Sequence, residues 1–129
     1  MKLQELFKNL IDEIANSLLE YGFGRRSKNI LKRIADNKDI TLEIYFQTNF
    51  NCFGDCFQIL PIIAVYSKQL KKEKGDGLGQ IYKKEVLNQQ NRVWSISEIS
   101  FNDESKEIIK IIQNNILKII NNFDNEGEN

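Results

Sequence analysis

The apolar run CFQILPIIAVY, residues 56–66, is the feature that most constrains the fold. Its apolar side chains alternate between two sets, Phe57, Ile59, Ile63 and Val65 on one side and Leu60, Ile62, Ala64 and Tyr66 on the other. This pattern is typical of a β-strand that is covered on both faces. Pro61 has no N–H to donate, so we expect a bulge or an unpaired side at that position. The run therefore predicts a long buried strand with a kink.

Both ends of the sequence carry the spacing of an amphipathic helix. The first stripe consists of Leu3, Leu6, Phe7, Leu10, Ile11, Ile14 and Leu18, and the second of Ile108, Ile112, Ile116, Ile119 and Phe123. The first helix is predicted to end near Tyr21, where Gly22 can adopt the left-handed conformation and Phe23 can fold back onto the last turn. Asn102 or Asp103 can cap the second helix. These two helices can each bury one face on a sheet.

The sequence between the first helix and the buried strand predicts a β-hairpin. Residues 29–35 and 40–47 flank a group that favours a tight turn, residues 36–39. In the second arm the side chains alternate, with Ile40, Leu42, Ile44 and Phe46 on one face and Thr41, Glu43, Tyr45 and Gln47 on the other. One face should meet the core and the other should meet water or a partner.

Weaker strand signals follow at 81–86 and at 92–96, around Trp94. Together the elements predict one α+β domain over residues 1–129, in which the N- and C-terminal helices pack on one face of an antiparallel sheet of about four or five strands. The acidic tail, residues 124–129, is expected to fray. We expect Trp94 to pack in the core with its indole N–H bound to a carbonyl.

The charge balance excludes a strong overall attraction to nucleic acid or to a membrane. The 129 residues contain 18 Lys and Arg and 18 Asp and Glu, so the formal net charge is zero. The start of the sequence lacks the pattern of a signal peptide, and no apolar run approaches the ~20 residues of a membrane span. We therefore expect a cytoplasmic protein without membrane contact, whose thiols stay reduced.

The residues that most often perform catalysis or bind metal are scarce. Cys52 and Cys56 could supply two ligands, but a structural zinc site normally needs four, and the chain has no histidine. The glycine-rich stretch at Gly75–Gly79 resembles a phosphate-binding loop, but no Lys-Ser or Lys-Thr pair follows it, which favours a flexible turn. We expect no metal, no cofactor and no catalytic residue.

Three groups of residues are candidates for binding. Glu43, Tyr45 and Gln47 share the polar alternation of one strand, Asn51 and Asp55 lie in the loop before the buried strand, and Arg25, Arg26, Lys71 and Lys72 belong to two basic segments. The basic segments cover residues 25–33 and 68–74, and they could contact phosphates or an acidic protein surface if the fold brings them together. The alternative interpretation of each group is an ordinary solvent-exposed surface without a binding role.

The order of these signals resembles a known family. YGF at the end of the first helix, IYFQT in the hairpin, FQILPIIAVYS in the buried strand, a late Trp94 and a closing helix are similar to a small bacterial family of domains of unknown function, grouped with toxin-immunity proteins. The resemblance implies a helix-flanked antiparallel sheet and a protein-binding role. It carries no site residues to this chain.

The leading hypothesis is therefore a non-catalytic binding protein, plausibly an immunity or inhibitor protein that neutralises a partner toxin. The first alternative is a module that binds nucleic acid or a phosphate ligand through the two basic segments. The second alternative is an enzyme that works without histidine, which would need a carboxylate, Tyr or Cys with a shifted pKa.

Overall fold

The computed structural model describes residues 3–34, 40–50, 55–69 and 79–126. In chain order the elements are helix α1 (Leu3–Leu18), a 3₁₀ turn (Leu19–Tyr21), strands β1 (Gly24–Ser27), β2 (Ile30–Ile34), β3 (Ile40–Asn49), β4 (Cys56–Ser67), β5 (Gln80–Glu85) and β6 (Trp94–Ser97), and helix α2 (Phe101–Glu126). The predicted α+β fold is confirmed. Residues 36–39, the predicted turn, lie outside the described residues.

The strands form one antiparallel sheet in the order β1-β2-β3-β4-β5, with β6 also paired to β4. The sequence predicts five of these strands within about two residues of their observed ends. Strand β1 is additional. Its four residues are all exposed, so they show no alternation between buried and exposed side chains that the sequence could reveal.

Helices α1 and α2 cover one face of the sheet and contact each other there. The core between helices and sheet contains, from the helices, Leu10, Ile11, Ile14, Ile108, Ile112 and Ile116, and from the sheet, Leu42, Ile44, Phe57, Ile59, Ile63, Trp94 and Ile96. Each such side chain contributes roughly 1.5–3 kcal/mol when it is removed from water. Both predicted helical stripes are therefore confirmed over their described residues.

The end of α1 has the geometry that the sequence predicts. Gly22 adopts φ 90°, and its N–H donates to the carbonyl of Leu19 at 3.0 Å. The N–H of Phe23 donates to the carbonyl of Leu18 at 3.3 Å, and the Phe23 ring is buried. This pair of hydrogen bonds satisfies carbonyls that the helix end would leave open and turns the chain into β1.

Strand β4 is the centre of the sheet, and Pro61 lies at the point where its partners change. On one side the β3 register runs unbroken through the Phe46–Pro61 pair. On the other side β6 pairs with residues 56–59 and β5 with residues 62–66, so Pro61 falls between them. Pro61 thus has no ladder partner in β5 or β6, although its carbonyl accepts the N–H of Val86 at 2.8 Å, and the register irregularity of β4 lies at Val65 and Tyr66.

Helix α2 begins one to two residues before its predicted caps. The helix starts at Phe101, so Asn102 and Asp103 lie in its first turn. Ser97 and Ser100 bind each other just before it: the N–H of each donates to the hydroxyl of the other at 3.0 and 3.1 Å. This reciprocal turn fixes the angle between β6 and the helix.

Candidate binding surfaces

The sheet face opposite the helices is the first candidate surface, and we call it the open face. On β3 and β4 it contains Thr41, Glu43, Tyr45, Gln47, Leu60, Ile62, Ala64 and Tyr66, the alternation that points away from the core side chains. The predicted grouping of Glu43, Tyr45 and Gln47 on one face is confirmed. No helix among the described residues covers this face.

The open face is organised in rows that cross the strands. One row runs from Gly24 through Lys32, Glu43 and Ala64 to Lys83. The next row runs through Ile30, Tyr45, Ile62 and Glu85. The first row places Lys32 beside Glu43 and ends at Lys83, and the second ends at Glu85, while the central strand contributes the apolar residues Ala64 and Ile62.

The central positions of these rows are shielded even though no described helix lies above them. Ile62 is 2% exposed and Ala64 is 0% exposed. Their partners in the rows, Glu43 and Tyr45, are half-buried. The burial of these two positions agrees with the sequence pattern of β4, which indicates cover on both faces.

A small hollow on the open face brings the two basic segments together. Its volume is about 210 Å³, and its lining consists of Lys32, Thr41, Glu43, Tyr66 and Lys68. Lys32 comes from the first basic segment and Lys68 from the described part of the second, so the two segments meet at this hollow. Lys71 and Lys72 lie outside the described residues.

Tyr66 is the titratable group in this hollow whose pKa is displaced. Burial, followed by the nearby Glu43 and Tyr45, raises the pKa of Tyr66 above its ordinary value of 10.0. A general base near neutral pH needs a lowered pKa, so Tyr66 remains a neutral phenol there. This displacement favours a binding role for the hollow over proton transfer.

A second hollow lies at the outer end of the sheet, and we call it the basic hollow. Its volume is about 400 Å³, and its lining consists of Gly22, Gly24, Arg25, Arg26 and Lys32. The guanidinium of Arg25 forms an ion pair with Asp12 of α1 and donates to the carbonyl of Lys28 at 3.1 Å. Arg25 and Arg26, both predicted binding residues, are thus placed at one concavity.

A larger open cleft of about 760 Å³ lies beside the connection between β5 and β6. Its polar lining includes Gln58, Asn88, Gln90, Arg92, Ser95 and Glu104. The Asn88 side-chain oxygen accepts the backbone N–H groups of Gln90 and Arg92, so it holds the loop. Sequence reasoning missed this cleft, although the polar run NQQNR is a signal for an ordered loop.

Glu104 is the acidic side chain in that cleft. Burial, then Glu107 and Asp103, raises the pKa of Glu104 above its ordinary value of 4.5. The other charged side chain among the described lining residues is Arg92. The described lining thus offers several hydrogen-bonding groups to a polar ligand.

The loop before β4 contains two predicted binding residues and both cysteines. Asp55 is exposed, whereas Asn51 and Cys52 lie outside the described residues. Cys56 is disulfide-bonded, which contradicts the expectation of reduced thiols. Across the described ranges, no group of three Cys, Asp or Glu side chains could hold a metal ion.

The remaining sequence predictions concern Trp94 and the glycine-rich stretch. Trp94 is 0% exposed, and its indole N–H donates to the carbonyl of Val86 at 3.0 Å, as predicted. Of Gly75–Gly79, only Gly79 is described; its φ is 70°, and its carbonyl accepts the N–H of Ser67 at 2.9 Å. Neither residue takes part in the surfaces above.

Comparison with known proteins adds no relative. No protein-family model, no curated protein and no solved structure matches the chain. Within the described residues, no helix is long and apolar enough to cross a membrane. The resemblance to toxin-immunity domains stays a prediction, and the arguments about function start from the chain's own surfaces.

Proposed function

We propose that the chain is a non-catalytic binding protein that holds a partner protein on its open face. The observation that supports this most is the one-sided architecture: both helices pack on one face of the sheet, and the described elements leave the other uncovered. That face combines tyrosine, partly buried aliphatic groups and paired charges. Tyrosine is enriched at protein interfaces, whose apolar centre is surrounded by a polar rim.

The size of the open face suits a specific interface. Strands lie ~4.8 Å apart and rise ~3.3 Å per residue. Five strands, of which β3 has 10 residues, therefore span about 20 Å by about 30 Å. This footprint is on the order of 600 Å², close to the ~800 Å² that each partner buries in a standard complex.

The rows of the open face suggest which contacts would matter. Tyr45 and Tyr66 are half-buried and lie on adjacent strands. Each offers a large contact area, and partial burial already restricts the rotamers of its side chain. Lys32, Glu43 and Glu85 surround them with charges of both signs, which would set the orientation of the partner. The partner would thus be a folded protein with mixed charge at its contact surface.

The resemblance in sequence and the same surface both support an immunity role. A rigid sheet face can lie over the active site of a toxin and exclude its substrate without any chemistry of its own. The proposed partner is therefore a toxin, and the chain would neutralise it by stoichiometric binding. Such a partner needs no cofactor or catalytic group in this chain.

The test uses a tagged chain and two matched variants in a lysate of the organism that encodes it. Tyr45→Arg changes the open face, while Leu117→Arg makes the same kind of change on α2, where Leu117 is 40% exposed. Wild type and Leu117→Arg should capture one partner stoichiometrically. Tyr45→Arg should lose it, because a central interface tyrosine contributes about 2 kcal/mol or more.

A growth assay then tests the immunity role. The captured partner, expressed alone, should arrest growth, and wild type but not Tyr45→Arg should restore it. If Tyr45→Arg still captures the partner, the interface does not lie on the open face. A partner without toxicity would contradict the immunity role.

A further inference from the structure

The basic hollow lies beside the open face and shares Gly24 and Lys32 with it, while Gly22, Arg25 and Arg26 take no part in the proposed protein interface. Strand pairing creates it, because Gly24 lies opposite Lys32 in the β1–β2 ladder and has no side chain. A Cβ added to Gly24 would meet nothing within 4 Å. The hollow is therefore open space above a glycine, at the edge of the sheet and flanked by cations.

Its walls are held in place by hydrogen bonds. Arg25 is fixed between Asp12 and the carbonyl of Lys28. Arg33 donates from Nε to the carbonyl of Tyr21 at 2.7 Å, and its side chain lies 3.5–3.8 Å from the position that a Cβ on Gly22 would take. Arg25, which lines the hollow, and Arg33, which lies beside Gly22, are thus held in place before any ligand arrives.

The charges of the hollow are unbalanced. Asp12 offsets Arg25, but the described residues form no salt bridge to Arg26 or Lys32. Glu43 lies opposite Lys32 on β3, so Arg26 carries the positive charge of the concavity that no described carboxylate offsets, on a chain whose formal net charge is zero. Like charges collected in a concave site raise the local concentration of anions.

We infer that the basic hollow binds a phosphate group of a small ligand, such as a phosphate monoester or a diphosphate. Arg26 and Lys32 line the hollow, and guanidinium and ammonium groups bind the oxygens of a phosphate through charge-assisted hydrogen bonds. The volume of about 400 Å³ lies within the roughly 300–1,000 Å³ of small-molecule sites. The glycine floor allows the phosphate to approach the backbone closely.

The same charges argue against a long nucleic acid as the ligand. An extended strand needs a track of cations, since each neutralised phosphate adds to its affinity. Beyond Lys32 the open face continues with Glu43 in the same row, and Lys68 shares its hollow with that carboxylate. Among the described residues the positive surface is therefore local, which suits one or two phosphate groups.

The test is calorimetric titration of the whole chain with inorganic phosphate and with pyrophosphate, at an ionic strength held constant with sodium chloride. We expect saturable binding of one equivalent, tighter for pyrophosphate. Arg26→Gln and Lys32→Gln should each weaken it about tenfold, the effect of losing one charge-assisted hydrogen bond. Lys110→Gln, which removes one charge from an exposed position on α2, should leave it unchanged.

A third variant distinguishes the contribution of the hollow's shape to phosphate binding from the contribution of its charges. Gly24→Leu fills the hollow while all three cations remain, so binding should be lost although the thermal midpoint stays at the wild-type value. Equal binding in wild type, Gly24→Leu and Arg26→Gln would overturn the inference. So would tighter binding of a single-stranded oligonucleotide than of pyrophosphate, because it would assign the cations to nucleic acid.

The outcome is independent of the proposed protein interface. The titration contains no partner protein, and Tyr45→Arg should bind pyrophosphate as wild type does. Loss of partner capture with intact phosphate binding would leave this inference standing. Loss of phosphate binding with intact capture would remove it without affecting the proposed function.

Discussion

Gly22 and Gly24 lie two positions apart but meet opposite demands. Gly22 has φ 90°, a conformation that side chains with a Cβ rarely adopt, and it ends α1. Gly24 is an exposed strand residue, and an added Cβ there would meet open space. One glycine is required by the backbone, and the other leaves room above the sheet.

Alanine substitution should separate these two roles. Gly22→Ala should lower the free energy of unfolding by about 1–2 kcal/mol, because alanine must adopt the left-handed region. Gly24→Ala should leave it unchanged or raise it by up to about 1 kcal/mol, since alanine restricts the unfolded chain more than glycine does. Urea denaturation measures both. Equal losses in the two variants would show that Gly22 does not need its left-handed geometry.

At the scale of elements, the periodic segments could be predicted and the aperiodic one could not. In strand β3 and in both helices, apolar side chains that face the core recur at a regular spacing among polar ones, so the sequence shows the pattern directly. Strand β4 was predictable as buried because even its open-face positions Ile62 and Ala64 are shielded. Strand β1 was not predicted because its four residues are all exposed and show no alternation between buried and exposed side chains.

Amide hydrogen exchange should rank the strands by their pairing. The amides of β4, bound to β3 on one side and to β5 and β6 on the other, should exchange only when the whole domain unfolds. Those of β1, an exposed edge strand, should exchange at least about 100-fold faster by local opening. The interior of α2 is the internal reference for global unfolding. Exchange in β4 as fast as in β1 would contradict the strand order.

At the scale of the whole molecule, the candidate surfaces were only partly predictable. Glu43, Tyr45 and Gln47 could be placed on one face, because every second side chain of a strand points to the same side of the sheet. The meeting of Lys32 with Lys68 depends on the register between β2, β3 and β4, which no local pattern encodes. The basic hollow depends likewise on the pairing of Gly24 with Lys32.

The same long-range packing predicts that helices and sheet unfold together. Trp94, the single tryptophan, is buried in β6, so its fluorescence reports on the sheet. Helices α1 and α2 dominate the far-ultraviolet circular dichroism. In urea the two signals should change in one transition with one midpoint and a slope of about 1–3 kcal/mol per molar. This coincidence is expected because the helices have no core apart from the one they share with the sheet.

The substitution Ile112→Val sharpens this test. Ile112 is 0% exposed in α2, and losing one methylene there should cost about 0.5–1.5 kcal/mol. If the chain is one cooperative unit, the fluorescence of Trp94 and the circular dichroism should shift to the same lower urea midpoint. The exposed change Lys110→Gln on the same helix should move neither signal. A shift in circular dichroism alone would mean that the helices detach from an intact sheet. Both faces of the sheet would then be exposed, and the open face would not be the only uncovered one.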